Sequence, residues 1–140
     1  MDRTVRCELL TRLPDEELRR LAELATSDDL GELNLVTPPT IGMVMARAIE
    51  GARGETFNLG EVLVTECLVS LGESEGWAML MGSRPQGALA AATIDAASVA
   101  GTRYIDRIDA EIVRMAQEIE AAQIAERKRL DATRVQFDTQ

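Results

Sequence analysis

The sequence predicts an α+β fold: an N-terminal helical hairpin, an antiparallel sheet of four to five strands, and C-terminal helices. Three observations lead there. Apolar residues recur three and four apart in the opening segment and again from Ile105 to Ala122. Between them, residues 33–81 break into Val-, Leu- and Thr-rich runs punctuated by glycine and proline. The spacing of those turns suits an antiparallel meander.

Arg3 to Arg12 forms a short helix with Val5, Leu9, Leu10 and Leu13 turned inward. Pro14 starts a second, because its missing N–H costs nothing in a first turn. Asp15, Glu16 and Glu17 then place negative charge at the positive end of the helix dipole. Leu18, Leu21, Ala22 and Ala25 make its apolar face, and Glu16 can pair with Arg20.

Leu33–Val36 is a strand that Pro38-Pro39 should stop, since proline cannot donate to a ladder. Gly42–Ile49 is the next, facing a third at Glu55–Leu59 across the glycine-bounded turn Gly51-Ala52-Arg53-Gly54. After Gly60-Glu61 comes Val62–Leu71, apolar on both faces, which suits a central strand covered on both sides. Gly72–Gly76 turns the chain into a last strand, Trp77–Met81. An alanine-rich helix follows over 86–100, and a longer one begins near Tyr104. Arg107–Glu111 and Arg114–Glu118 can brace its solvent side.

A chain of 140 residues supports one core, so 1–140 is read as a single domain: 1–30 hairpin, 33–81 sheet, 86–140 helices and tail. The formal charge of −9 removes the basic stripe a nucleic-acid binder needs, so no nucleic acid is expected. No apolar run reaches membrane-spanning length and the opening segment is charged, so no membrane contact and a cytoplasmic setting are expected. Cys7 and Cys67 are too few for a disulfide scaffold or a zinc site.

The absence of histidine decides most about chemistry. Ser-His and Cys-His nucleophiles and His-based metal sites are excluded within this chain, leaving carboxylates, Lys, Arg and single thiols. No catalytic residue and no metal ligand is assigned. Gly51-Ala52-Arg53-Gly54 lacks the rest of a phosphate-binding loop and reads as a turn. Cys67, in an apolar run, reads as an inert core thiol. Glu61, Glu66 and Asp95 are candidate polar contacts. Glu66 is foremost because a carboxylate in an apolar strand needs a partner, and an arginine of another subunit would serve.

Ile105, Ile108, Ile112, Met115 and Ile119 form a seam that is either core or partner-facing; we take it as a candidate subunit interface. Arg134 and Phe137 are residue types favoured at interface hot spots, with packing on their own domain as the alternative.

The chain resembles the PhnG subunit family of the bacterial carbon–phosphorus lyase system. The resemblance is carried by Gly54-Glu55-x-Phe57-x-x-Gly60-Glu61-x-x-x-Thr65-Glu66-Cys67-x-Val69, by Gly42-x-Val44 before it, by Ile94-Asp95-Ala96, and by Thr133-Arg134-Val135-x-Phe137-x-Thr139. It departs at Cys7-Glu8 and at Gly87-Ala88-Leu89. The resemblance implies a small subunit, not catalytic alone, that assembles with PhnI, PhnH and PhnJ-like subunits and needs PhnL for activity. The complex would transfer phosphonate onto MgATP with displacement of adenine, giving a ribose 1-phosphonate 5-triphosphate. S-adenosylmethionine and an iron–sulfur cluster would belong to another subunit, with no cofactor in this one. The alternative reading is an acidic interaction or regulatory domain that homodimerises.

Overall fold

The computed structural model describes residues 1–49 and 54–138, and side chains except those of 48, 49, 59 and 134–138. The Gly51–Arg53 part of the expected turn lies outside the described residues, as do the side chains of Arg134 and Phe137 and the backbone of Thr139. The elements run α1 (Arg3–Leu10), α2 (Asp15–Thr26), β1 (Leu33–Ile49), β2 (Thr56–Leu71), β3 (Ser74–Met81), α3 (Pro85–Ala100) and α4 (Ile105–Asp138). This is the expected α+β order.

The sheet is antiparallel with β2 between β1 and β3. All five expected strand segments are present, but they are joined into three long strands. Leu33–Val36 and Gly42–Ile49 belong to one strand because Pro38-Pro39 bends it instead of ending it. The register shifts between Leu35 and Thr37 and again between Thr37 and Thr40, two bulges on an edge strand, where a missing donor is tolerated. A third shift opposite Gly60, whose φ is 111°, joins the two halves of β2. That backbone angle is one that glycine alone adopts freely. The β2–β3 turn is tighter than expected, two residues at Gly72-Glu73, so β3 starts at Ser74.

The centre of the molecule is α3 rather than β2. From Gly87 to Ala97 every residue but Leu89 is buried, because a helix walled by alanine can be approached closely from all sides. The sheet packs on one flank, through Cys67, Val69, Leu71, Ala78 and Leu80, and α2 packs on another through Leu18, Leu21, Ala22 and Ala25. The closest approach is at Gly76, where an added Cβ would collide with the Ala92 carbonyl and the Ala96 backbone and methyl. Gly101, at φ 84°, ends α3, and the Thr102 N–H returns to the Ala97 carbonyl at 3.0 Å.

In α1 the inward face differs from expectation: Val5 is exposed, and Arg6 takes the inward position one turn before Leu10. Its guanidinium reaches Asp109 of α4 through Nε at 2.6 Å and Nη2 at 2.9 Å. Arg20 pairs with Glu17 rather than Glu16, and crosses to Glu111 at 3.1 Å, so Glu111 braces α2 instead of Arg107. Arg114–Glu118 forms as expected, at 3.1 Å.

Candidate functional site

Asp95 of α3 is the most enclosed carboxylate among the described residues. It accepts two hydrogen bonds from Arg3, Nε and Nη2 each at 2.9 Å, one from the Trp77 backbone N–H at 3.0 Å, and one from the Cys7 thiol at 3.3 Å. Burial alone would push its pKa up. The bonds from Arg3, Trp77 and Cys7 outweigh that and hold it below the ordinary carboxylate range. The same arrangement acts oppositely on Cys7, whose pKa burial and the Asp95 charge push up to about 11. With every acceptor direction filled, Asp95 is a node locking α1 and β3 onto α3. It is not poised to meet a substrate.

A second node sits where α1 turns into α2. The Arg84 guanidinium donates to Asp15 at 2.7 Å and to the Leu13 carbonyl at 2.6 Å. The Arg84 N–H is held by Thr65, whose hydroxyl donates to the Gly82 carbonyl at 2.7 Å. Gly87 lies beside it, and a Cβ there would have to displace the Asp15 carboxylate.

Glu66 lies on the sheet face away from α3 and accepts the Trp77 indole N–H at 2.7 Å. Its partner is therefore a neighbouring strand of its own chain, which the sequence reading did not assign. Glu61 lies farther along β2, exposed, about 16 Å away at the strand rise. Glu61, Glu66 and Asp95 are not brought together into one site. Among the described residues no group of three His, Cys, Asp or Glu is arranged to hold a metal ion.

The apolar seam of α4 also needs correcting. Ile108, Ile112 and Met115 are buried in the chain's own core, against the α1–α2 hairpin, so they are not available to a partner. Ile105 and Ile119 are half-buried at its margins. Beyond Ala116 the helix leaves the body: apart from Ile119, residues 117–133 are exposed, Ile124 and Leu130 included.

The largest departure from expectation lies in the sheet. β3 ends opposite Val64, while β1 and β2 go on pairing from Gly42↔Val64 to Ile49↔Thr56. This two-stranded arm extends about 25 Å past the third strand. The register sets Ile41, Met43 and Met45 on one face with Leu63 and Glu61. Ile41, Met43, Met45 and Leu63 are 48, 56, 51 and 41% exposed. Thus β2, central by pairing, is helix-covered on one face over its last half only. On its other face Val64 is buried and Val62 and Leu68 are half-buried. Trp77 and Met81 are also exposed on β3.

Comparison with known proteins completes this picture. The sequence model of the family described as phosphonate metabolism protein PhnG matches residues 1–140. The chain belongs to the PhnG family. It is 36% identical, over 108 residues covering 69% of each chain, to the alpha-D-ribose 1-methylphosphonate 5-triphosphate synthase subunit PhnG of Rhizobium meliloti (strain 1021). For this PhnG-family chain, the structure gives Ile94-Asp95-Ala96 a physical meaning: the aspartate is the four-bonded node of the central helix. Among the described residues, no helix is long and apolar enough to cross a membrane.

Proposed function

We propose that this chain is a non-catalytic subunit of a ribose 1-methylphosphonate 5-triphosphate synthase in organic phosphonate breakdown, located in the cytoplasm. Its part is to complete an assembly with PhnI, PhnH and PhnJ-like subunits, with PhnL needed for activity. The reaction replaces the adenine of MgATP at the ribose C1 with a phosphonate oxygen. The S-adenosylmethionine and iron–sulfur chemistry that later breaks the carbon–phosphorus bond belongs to another subunit.

The observation that carries the reading is the family match along the whole chain, together with a synthase subunit as the 36% identical relative. The side-chain chemistry supports it. The chain has no histidine, and Asp15, Asp95 and Asp109 are engaged by arginines of their own fold. Both thiols are held protonated, Cys67 by burial and Cys7 by burial and Asp95. Co-expression with the other subunits tests the reading. The chain should copurify through an affinity tag placed on the PhnI-like subunit. A chain that elutes alone, as a tight homodimer, contradicts it.

A further inference from the structure

We propose that the face of the β-arm bearing Ile41, Met43, Met45 and Leu63 docks in an apolar cleft of another subunit of the synthase, a cleft rimmed by Lys or Arg. The inference rests on the subunit reading above and assigns it a surface.

A two-stranded ribbon is marginal in water unless something packs on it. Here the third strand stops at Met81, opposite Val64, and α3 begins only at Pro85. With Ile41 at its root, where the sheet still has three strands, the arm therefore leaves the body with four large apolar side chains 41–56% exposed on one face, while Val44 and Val62 of the other face are half-buried. Two of the four are methionines, whose flexible thioethers adapt to a partner's contour.

Charge decides between occupants. Glu61 lies on the docking face, paired with Met45, Arg47 follows Met45 on that face, and Glu55 is exposed nearer the tip, so among these described residues the carboxylates outnumber the guanidinium. A second copy of this chain would bring together two bodies of formal charge −9, which like-charge repulsion disfavours. A different subunit with basic residues around an apolar cleft meets both features.

The test uses the full chain and the co-expressed remaining subunits. Wild type, the double variant Met43→Glu/Leu63→Glu and the control Leu130→Glu on the projecting part of α4 are titrated against the partner assembly. Buried apolar anchors are each worth about tenfold in Kd, so the double variant should bind about a hundredfold more weakly while the control stays within about twofold. Wild-type affinity should fall as salt rises. Hydrogen exchange on the wild-type chain keeps the test independent of variant folding: amides of residues 42–47 and 58–63 should gain protection on assembly. Wild-type-like affinity of a folded double variant, or unchanged exchange in the arm of an assembled complex, overturns the arm assignment and leaves the subunit reading intact. A wild-type chain that does not assemble overturns both. A homodimer broken by the double variant overturns the choice of occupant.

Discussion

The guanidinium of Arg3 grips the buried carboxylate of Asp95 through Nε and Nη2, both at 2.9 Å, across 92 positions of sequence. The first turn of the chain is thereby tied to its central helix. Asp95→Ala should destabilise the fold by about 2 kcal/mol, because the Trp77 N–H and the thiol lose their acceptor along with an ion pair whose Arg3 end is half exposed. Denaturant titration measures this. The folded pKa of Asp95 lies below its unfolded value of 3.8, so its contribution is present above that pH and is lost as pH falls through the folded pKa. Asp95→Asn should flatten stability against pH in that acid window and change its slope little above it.

Cys7 and Cys67 should differ in reactivity from ordinary surface thiols. With a folded pKa of about 11, Cys7 is almost wholly protonated near neutral pH, and its alkylation rate should still be rising above pH 9. Its unfolded value is 9.0, so the stabilisation it lends is complete below pH 9 and declines as pH climbs from 9 towards 11. Cys67 is buried and should react only on opening of the fold. Mass spectrometry of iodoacetamide adducts against pH checks both statements.

Gly76→Ala should be among the most damaging small substitutions. The new methyl would fall on the backbone of Ala92 and Ala96, which the helix cannot move without separating from the sheet. A loss of about 3 kcal/mol is expected, the upper end for overpacking, and the thermal midpoint reports it.

The two halves of α4 should respond differently. Ile112→Ala opens the core and should cost about 3 kcal/mol, whereas Ile124→Ala, on the projecting half, should leave stability within about 0.5 kcal/mol. Equal costs at the two positions would contradict the division of this helix at Ala116.

The local parts of this architecture are legible in the sequence, and the long-range parts are not. Leu18, Leu21, Ala22 and Ala25 announce an amphipathic helix because the face they form is set within a few turns. A turn after Leu71 is legible from its glycines, but its closure in two residues at Gly72-Glu73, where Gly72–Gly76 is read, depends on the pairing of the strands it joins. Pro38-Pro39 reads as a strand end, and only the edge position of β1 makes it a bend. The α4 seam reads equally as core or interface, since periodicity gives a face without saying what covers it. The three partners of Asp95, Arg3, Cys7 and Trp77, come from α1 and β3, and no spacing in the chain announces them. The arm is the reverse case: within Val62–Leu71 Leu63 is the exposed apolar side chain, whereas Ile41, Met43 and Met45 of the paired strand, which read as one more sheet strand, are left bare.

The most direct measurement is adenine release from MgATP and methylphosphonate by the reconstituted subunits, with and without this chain. The account predicts phosphonate-dependent release only when the chain is present, and none from the chain by itself. Full release without it, or turnover by the isolated chain, would contradict the account.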